Sequence, residues 1–532
     1  MTPEEWIAHD PNPVTAAELA HCDPAELAAR FARPLTFGTA GLRGPVRGGP
    51  DAMNLAVVLR ATWALAEVLT DRGLAGTTVV VGRDARHGSA EFCSAAADVL
   101  AAKQFSVLMF PDPVPTPVLA FSVRHIGAAA GIQITASHNP PTDNGYKVYL
   151  DGGIQIVPPA DREIEAAIVG APFADDIVRA PVQPTGTELV ERYIERAARV
   201  RRSSGPVRVA LTALHGVGGA VAVQTLHRAG VDDVHIVAGQ FAPDPDFPTV
   251  TFPNPEEPGA SDAVLALATE VDADIAIALD PDADRCAIGI PTHSGWRMLS
   301  GDETGWLLGD FVLSRTAPGE RSTNVVASTV VSSRMLSSIA AERGAHHVET
   351  LTGFKWLARA DADLPGTTLV YAYEEAIGHC VDPAAVRDKD GISAAVLACD
   401  LVATLKRSGR SVLDALDDLA RRFGVHVGGA VSRPVADPGE AAALMRRLRE
   451  SPPTRLAGFD SSTTDLLHQT DVLIFTGGEA DTSARVVVRP SGTEPKVKFY
   501  IEVRSAVTDD LAGARQRASV LRDELASAVR SW

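Results

Sequence analysis

The sequence predicts an α/β protein of several domains, in which similar α/β units with mixed sheets are followed by a smaller α+β module. Strand-like and helix-like patterns alternate along most of the 532 residues, which is typical of α/β layers. Three segments share one design, a strand, a turn of small residues and a helix. The chain is also too long for one hydrophobic core, and its length indicates roughly three to four domains.

The first α/β unit is predicted within residues 1–205. The run Asn54–Leu69 has the apolar spacing of a helix, and Asn54 is its candidate N-cap. A strand, a polar turn and another helix follow in "TTVVVGRDARHGSAEFCSAAADVLAAKQ". Next come the strand "FSVLMFPD", the helix "PVLAFSVRHIG" and an apolar strand that ends in "TASHNPP". The two prolines prevent that last segment from being helical.

The later units begin with the same order of elements. A second unit, residues 206–320, begins with the strand, glycine-bearing turn and helix of Val207–Gly230, and a third, residues 321–430, begins with Asn324–Gly344. Residues 431–532 differ, because the helix "PGEAAALMRRLRE" is followed by two strands around a loop and by a closing helix. That order predicts an α+β module. We expect these boundaries to hold within about ten residues.

The composition and charge limit the classes of partner. Hydrophobic residues make up 45% of the chain and charged residues 22%, which is ordinary for a globular protein. The formal net charge of −18 argues against nucleic acid as a partner, because polyanions bind to basic surfaces. An acidic surface remains compatible with a local basic pocket for a phosphorylated small molecule.

The location of the protein is predicted to be cytoplasmic, without membrane contact. The N-terminus has acids and prolines where a signal peptide would have basic and then apolar residues. No apolar run reaches the roughly 20 residues needed to cross a bilayer. The sparse cysteines form no CxxC pair, which is typical of reduced thiols. They are Cys22, Cys93, Cys286, Cys380 and Cys399.

Ser137 lies in "TASHNP", where a strand ends. In α/β sheets, ligands bind in the crevice beyond the carboxyl ends of the strands. His138 and Asn139 are its neighbours in the chain, so a catalytic triad of adjacent residues is sterically excluded. There is no GxSxG motif around Ser137. A simple turn that closes the strand before Pro140 remains an alternative.

A candidate metal site follows a second apolar strand, in "DPDADR". Asp280, Asp282 and Asp284 occupy alternate positions, so on extended backbone their carboxylates point the same way. Three such anions require a cation, and hard oxygen ligands suit Mg²⁺. An EF-hand loop is excluded, because its sixth and twelfth positions would be Arg285 and Pro291. A solvated acidic loop is the alternative.

A candidate phosphate-binding loop lies in "VVVRPSGTEPKVKFY". It offers a guanidinium, two hydroxyl groups, flexible backbone N–H groups and an ammonium, which together suit a phosphate. These groups belong to Arg489, Ser491, Gly492, Thr493 and Lys496. The pattern differs from GxxxxGK[ST], so it is not a nucleotide P-loop. An ordinary hairpin turn is the alternative.

The motifs, taken in order over nearly the whole chain, resemble those of the α-D-phosphohexomutases, the superfamily of phosphoglucomutases and phosphomannomutases. The form "EEAIG" (Glu374–Gly378) resembles the branch of this superfamily with phosphopentomutase and sugar-bisphosphate synthase activities. The matching stretches are "FGTAGLRG" (Phe37–Gly44), "TASHNP" (Thr135–Pro140), "DPDADR" (Asp280–Arg285), "GDE" (Gly301–Glu303), "TGFKW" (Thr352–Trp356), "EEAIGH" (Glu374–His379), "RDKDG" (Arg387–Gly391) and "RPSGTEPK" (Arg489–Lys496).

The resemblance implies a fold and a reaction. It implies four domains around one cleft, of which the last binds phosphate. Ser137 would carry a phosphoryl group and, with the three aspartates of "DPDADR", would hold Mg²⁺. The enzyme would interconvert a hexose 1-phosphate and a hexose 6-phosphate through a sugar 1,6-bisphosphate, which is also the activator. The loop from Arg489 to Thr493 would hold the phosphate that is not reacting.

The resemblance also implies the other site residues. Besides Ser137, the catalytic residues would be His138, Lys147, Arg285 and His379, with Lys147 or His379 as the acid or base. The residues that bind the substrate would be Thr39, Arg43, Thr352, Gly353, Lys355, Glu374, Glu375, Ala376, Lys389, Arg489, Ser491, Gly492 and Thr493. The partner is a small phosphosugar, and the expected assembly is a monomer or a dimer.

The sugar-reading loop departs from the hexose pattern. Relatives that act on glucose or mannose phosphates carry Glu, one further residue and Ser, whereas this chain has Glu374, Glu375 and Ala376. A phosphopentomutase is therefore an alternative. A Mg²⁺-dependent phosphatase of the haloacid dehalogenase type and a non-catalytic sugar-phosphate sensor are alternatives from other classes. Neither of them explains why the chain has both the serine and the three aspartates.

Overall fold

The computed structural model describes residues 1–37, 41–150, 152–491, 496–508 and 510–532. The chain forms two compact units. One comprises Met1–Ser300, Gly353–Arg359 and Val370–Arg407. The other comprises Gly301–Thr352, Ala360–Leu369 and Ser408–Trp532.

The first predicted domain is a mixed sheet with helices packed against it. Its strands are β1 (Leu42–Pro45), β2 (Thr78–Arg83), β3 (Ser106–Met109), β4 (Ala130–Ile134), β5 (Asp143–Leu150) and β6 (Ile154–Gln155). Its helices are α1 (Pro3–Ala8), α2 (Pro13–His21), α3 (Pro24–Ala32), α4 (Leu55–Asp71), α5 (Ser89–Ala102), α6 (Thr116–Ile126), α7 (Ala160–Val169) and α8 (Thr187–Ala198). The strand order is β1-β5-β4-β2-β3, with β6 beside β5. Strands β3, β2 and β4 are parallel, and β5 is antiparallel to β4.

The second predicted domain repeats this plan. Its strands are β7 (Arg208–Thr212), β8 (Asp233–Ile236), β9 (Ile275–Leu279), β10 (Cys286–Thr292) and β11 (Gly295–Met298). Its helices are α9 (Gly219–Arg228) and α10 (Asp262–Glu270). The strand order is β11-β10-β9-β7-β8. Strands β8, β7 and β9 are parallel, and β10 is antiparallel to β9, so β9 and β10 correspond to β4 and β5.

The elements of the third predicted domain are divided between the two compact units. They begin with α11 (Gly301–Ser314), β12 (Asn324–Thr329), α12 (Met335–Arg343) and β13 (His346–Thr350). They continue with α13 (Phe354–Leu357), β14 (Thr368–Glu374), β15 (Gly378–Cys380), α14 (Gly391–Arg407) and α15 (Val412–Phe423). Strands β12 and β13 pair in parallel, whereas β14 and β15 form an antiparallel hairpin.

The C-terminal module is an antiparallel sheet with two helices. Its strands are β16 (Val425–Pro434), β17 (Arg455–Leu456), β18 (Phe459–Asp465), β19 (Leu473–Gly478), β20 (Thr482–Pro490) and β21 (Lys496–Ser505). Its helices are α16 (Pro438–Glu450) and α17 (Leu511–Val529). The strand order is β16-β21-β20-β19-β18-β17. Apolar residues of this sheet and of both helices form one core.

The predicted classes of sheet are confirmed. Mixed α/β sheets are followed by an antiparallel α+β module. The predicted helix after Asn54 forms, and the Asn54 side chain accepts a hydrogen bond of 3.0 Å from the Val57 N–H. The boundaries at residues 205, 320 and 430 stay predictions. Among the described helices, none is long and apolar enough to span a bilayer.

Candidate active site

The predicted serine, aspartate and sugar-reading motifs occupy equivalent places in three hairpins. The loops join β4 to β5, β9 to β10 and β14 to β15, and each pair of strands is antiparallel. In each loop or turn one residue that is not glycine has a positive φ: Ser137 (51°), Ala283 (55°) and Ile377 (51°). Such backbone is uncommon and concentrates at functional sites.

Ser137 is buried, with 3% of its surface exposed. Its N–H donates to Thr135 Oγ1 at 3.0 Å, and its hydroxyl donates to Asp280 Oδ2 at 2.8 Å. The guanidinium of Arg86 donates to the carbonyl oxygens of Ser137 at 2.7 Å and of Asn139 at 2.6 Å. The loop does form a turn at the end of the strand, since the Asn139 N–H donates to the Ala136 carbonyl at 3.0 Å, and hydrogen bonds fix this turn around the serine.

Asp280, Asp282 and Asp284 converge on one point, and all three are fully buried. One oxygen from each lies within 4.8 Å of the others. The sequence predicted extended backbone here, and that prediction is wrong. A turn forms instead, in which the Ala283 N–H donates to the Asp280 carbonyl at 2.9 Å. The turn, and not strand alternation, aligns the carboxylates. A solvated acidic loop is excluded by their burial.

Two lysines form ion pairs with Asp282 and Asp284. Lys147 Nζ donates to Asp282 Oδ2 at 2.7 Å and to Asp284 Oδ2 at 2.9 Å. Lys389 Nζ lies 3.0 Å from the same Asp284 oxygen. Although burial lowers the pKa of both lysines, the aspartates raise it above the ordinary value. Both lysines therefore keep their positive charge.

The aspartates have different protonation tendencies. Burial and the negative charges of Asp282 and Asp284 raise the pKa of Asp280 well above its usual range. Burial acts in the same direction on Asp282 and Asp284, but Lys147 holds the pKa of both below the ordinary value. Asp280, which accepts a hydrogen bond from the Ser137 hydroxyl, is thus the carboxylate that most needs an additional cation.

The residues fit a divalent cation. Asp282 Oδ1 and Asp284 Oδ1 are buried and have no hydrogen-bond partner among the described residues. Unpaired carboxylate oxygens are costly to bury unless a ligand satisfies them. The oxygen donors provided by this triad suit a hard cation such as Mg²⁺.

Arg285 joins all three loops. Its Nη1 lies 2.7 Å from His138 Nδ1 beside the serine, and its Nη2 donates to Glu374 Oε1 at 3.1 Å. Its backbone forms an isolated antiparallel bridge with Gly378. An arginine can only donate, so His138 accepts through a neutral ring. Burial and the charges of Arg285 and Arg43 lower the pKa of His138 well below its ordinary value.

His379 is fully buried on β15. Its Nδ1 lies 3.2 Å from the Tyr371 hydroxyl, and its Nε2 has no partner among the described residues. Burial lowers the pKa of His379 to about 3, so the ring is neutral. Its role as the acid or base stays a prediction.

The other predicted residues of the sugar-reading and serine regions lie near these groups. Glu374 ends β14, and Glu375 and Ala376 form the half-buried turn before Gly378. Burial raises the pKa of Glu374, while Arg285 and Lys389 oppose that change. Arg43 lies on β1 and donates to Asn139 Oδ1 at 2.9 Å.

The remaining predicted residues are not joined to this cluster by the contacts described above. Gly353 precedes α13 with a φ of 108°, and the Lys355 ammonium lies 5.9 Å from the ring centroid of Trp356. Thr352, Arg489 and Ser491 belong to the other compact unit. Arg489 is half-buried near the end of β20, and the Ser491 N–H donates to the Lys496 carbonyl at 2.8 Å. Thr39, Gly492 and Thr493 lie outside the described residues.

Comparison with known families gives four consecutive matches. They are to phosphoglucomutase/phosphomannomutase alpha/beta/alpha domains I, II and III and to the C-terminal domain of the same family. The matched residues are 34–174, 191–293, 300–423 and 478–512.

Two curated relatives match over most of their length. A probable phosphomannomutase of Haemophilus influenzae is 41% identical over 466 residues, which cover 85% of this chain and 93% of the relative. The chain belongs to the phosphoglucomutase/phosphomannomutase family. A probable phosphoribomutase of Schizosaccharomyces pombe is 33% identical and covers 98% of this chain and 96% of its own.

A solved structure of this family has the same fold. The phosphoglucomutase/phosphomannomutase family protein of Burkholderia thailandensis gives a TM-score of 0.69 at 23% identity, covering 92% of this chain and 97% of its own. The predicted four-domain phosphohexomutase architecture is thereby confirmed. The chain is a phosphosugar mutase, which is an isomerase of the phosphotransferase type.

Sequence reasoning missed three residues near the loops that contain Ser137, the three aspartates and Glu374. Thr116 contacts Asp282, Arg86 fixes the serine loop, and Glu256 lies close enough to Glu374 for their charges to interact. Although Glu256 is exposed, desolvation by the surrounding protein raises its pKa to about 7. Their sequence signals were polar residues at the ends of strands or beside prolines, which are also typical of ordinary turns.

Proposed function

We propose that this phosphosugar mutase interconverts hexose 1-phosphate and hexose 6-phosphate, with glucose or mannose as the sugar. Ser137 is the phosphoryl donor and acceptor, and a sugar 1,6-bisphosphate is the intermediate and activator. The observation that carries the proposal is the hydrogen bond of 2.8 Å between the buried Ser137 hydroxyl and Asp280. It puts a nucleophile against the acidic cluster, as phosphoryl transfer requires.

Asp280, Asp282, Asp284 and Ser137 would hold Mg²⁺. When bound, the cation would supply the charge that offsets the negative oxygens of a transferring phosphoryl group. The chain's own cations add to this: Arg285 and Lys389 keep their charge, and both lie beside Asp284. Such fixed positive groups stabilise the transition state by electrostatics.

In the first half-reaction, the bond between the Ser137 oxygen and phosphorus breaks while a sugar hydroxyl oxygen bonds to the same phosphorus. The sugar hydroxyl gives its proton to the acid or base, and the departing serine oxygen takes up a proton, so that Ser137 regains its hydroxyl. The second half-reaction returns the other phosphoryl group of the bisphosphate to Ser137. Lys147 or His379 would act as the acid or base: Lys147 holds its proton in two ion pairs, whereas the His379 ring is neutral and its Nε2 has no partner among the described residues.

The loop at Arg489 and Ser491 is proposed to bind a substrate phosphate, together with Gly492 and Thr493. Arg489 lies near the end of β20, opposite Lys498 on β21. Two basic side chains flanking a loop with hydroxyl groups suit a phosphate. The location is proposed to be cytoplasmic, and the assembly a monomer or dimer.

Pentose phosphates are a second candidate substrate, because Ala376 stands where hexose enzymes have serine. A site that does not hydrogen-bond a hydroxyl cannot strongly reject a sugar that lacks it. The phosphoribomutase relative has the same implication. We expect activity on glucose 1-phosphate and mannose 1-phosphate and measurable activity on ribose 1-phosphate. The phosphatase alternative is not favoured, because it has no use for Ser137.

The test is mass spectrometry of the purified protein combined with kinetics of Ser137→Ala. We expect a phosphoryl group on Ser137 after incubation with glucose 1,6-bisphosphate, and a loss of turnover in Ser137→Ala of at least about 10⁴-fold, comparable to the loss of other nucleophiles. Ser122→Ala, which removes another buried hydroxyl of the same unit, is the control. Near-normal turnover by Ser137→Ala would disprove the mechanism.

A further inference from the structure

Thr116 contacts a proposed metal ligand from a different domain. It is the first residue of α6 and is fully buried. Its hydroxyl donates to Asp282 Oδ2 at 2.5 Å, and its backbone N–H donates to the Asp282 carbonyl oxygen at 2.9 Å. Both hydrogen bonds hold the same aspartate, one through the side chain and one through the main chain.

The sequence explains why Thr116 is available for this contact. Pro115 precedes the helix and Pro117 occupies its second position, and proline is favoured at the start of a helix. The first N–H groups of a helix have no partner within it, so the Thr116 N–H is free to bond elsewhere. The positive end of the helix dipole also favours a nearby carboxylate.

The hydroxyl of Thr116 helps to determine which carboxylate oxygen of Asp282 is available to a metal ion. Thr116 and Lys147 both donate to Asp282 Oδ2. Asp282 Oδ1 has no partner in the described part of the chain. The carboxylate is thus held with one oxygen saturated and the other available, which is the arrangement expected of a metal ligand that is oriented by its neighbours.

We propose that Thr116 is a positioning residue for the divalent cation of this enzyme, acting through Asp282. The inference rests on the proposed metal site. Lys147 contacts two of the aspartates and offsets their charge, whereas Thr116 is neutral and, of the three aspartates, bonds only to Asp282 in the contacts described. Loss of the hydroxyl therefore removes one of the two described donors to Asp282 Oδ2 and leaves the charge of the cluster unchanged.

The experiment is calorimetric titration of Mg²⁺ into the metal-free full-length protein. Thr116→Val keeps the side-chain shape and removes the hydroxyl, and we expect it to raise the Kd for Mg²⁺ by about 10–100-fold. Thr116→Ser restores the hydroxyl and should bind Mg²⁺ like the wild type. Ser122→Ala is the matched control, because it removes a buried hydroxyl of the same helix that bonds only to the Val118 carbonyl in the contacts described.

The variant Asp282→Asn distinguishes a failure of the proposed role of Thr116 from a failure of the proposed metal site. If Asp282→Asn weakens Mg²⁺ binding but Thr116→Val does not, the role of Thr116 is disproved and the metal site stands. If Asp282→Asn and the matching variants of Asp280 and Asp284 all bind Mg²⁺ like the wild type, the proposed metal site itself fails, and the role of Thr116 with it.

A kinetic readout covers the possibility that Thr116→Val folds poorly. Thr116→Ala also lacks the hydroxyl, and its activity can be measured against Mg²⁺ concentration. A positioning role predicts a raised Mg²⁺ requirement with most of kcat recovered at saturating Mg²⁺. A uniform loss of kcat at every Mg²⁺ concentration would contradict it.

Discussion

Arg285 shows how one side chain can organise several loops. It contacts His138 beside the nucleophile and Glu374 in the sugar-reading hairpin while it lies next to the aspartates. Burial lowers the pKa of Arg285, but the charges of Glu374 and Asp284 outweigh this effect and raise the pKa above its ordinary value. The guanidinium is therefore charged at every physiological pH. Lysine would not reproduce these contacts, because the planar fork of arginine reaches two partners at once.

Ala376 is the residue at which the sugar preference can be tested. Ala376→Ser restores the hydroxyl found in hexose enzymes. We expect the ratio of kcat/KM for glucose 1-phosphate over ribose 1-phosphate to rise by at most about 10–200-fold, the effect of one contact worth 1–3 kcal/mol. Steady-state kinetics on both sugars measures it. Ala384→Ser, at an exposed alanine, is the control, and an unchanged ratio in Ala376→Ser would show that this position does not select the sugar.

At the scale of elements, the three hairpins explain why distant motifs meet. In each hairpin the loop with the predicted site residues connects two neighbouring antiparallel strands. The sequence predicted the strands, because apolar runs end in polar residues at each site. It did not predict the turn at Ala283, because a positive φ at alanine has no sequence signal.

Contacts between hairpins were also beyond sequence reasoning. Lys147 and Asp284 are 137 residues apart, and Thr116 and Asp282 are 166 residues apart. Only the packing of the domains shows that these pairs touch. The motifs alone predicted Ser137 and the aspartates as site residues, because three carboxylates after a buried strand have few structural explanations.

Gly378 lies where the sugar-reading hairpin is most crowded. A Cβ at this position would lie 2.5 Å from Lys389 Cδ and 2.9 Å from Glu374 Cγ. Because the Lys389 ammonium is bound to Asp284, its side chain cannot simply move away. We expect Gly378→Ala to lower the free energy of unfolding by about 1–3 kcal/mol and to lower kcat/KM on every sugar.

Chemical denaturation and steady-state kinetics check this effect. Gly239→Ala is the matched control, because a Cβ there meets nothing within 4 Å. If the two variants were equally stable and equally active, the hairpin would have more room than its contacts indicate.

At the scale of the whole molecule, the compact unit that contains the C-terminus (Gly301–Thr352, Ala360–Leu369 and Ser408–Trp532) is stabilised by a buried charge network. Glu502 on β21 is 7% exposed. Its carboxylate accepts hydrogen bonds from Ser333 Oγ at 2.6 Å, His426 Nδ1 at 2.8 Å and Arg334 Nε at 2.6 Å. These contacts tie the start of α12 to strands β16 and β21 within this unit.

The pKa of Glu502 gives the network a pH dependence. Burial acts to raise this pKa, but the hydrogen bond and charge of His426, with Arg334, lower it well below the ordinary value of 4.5. A carboxyl group whose pKa is lower in the folded state binds protons less tightly there than in the unfolded chain. Its contribution to stability is therefore complete above about pH 4.5 and is lost as the pH falls through the range below it.

Glu502→Gln tests this network. At pH 7 we expect the substitution to lower the free energy of unfolding by about 3–5 kcal/mol, because it leaves Arg334 without its buried partner. The difference from the wild type should shrink steadily as the pH is lowered below about 4.5, since the wild-type carboxylate then loses its advantage. Urea denaturation at a series of pH values measures both effects. Glu342→Gln removes an exposed partner of Arg422 in the same unit and should cost about 1 kcal/mol or less. If Glu502→Gln were no more destabilising than Glu342→Gln at pH 7, the buried network would contribute nothing specific to the stability of this unit.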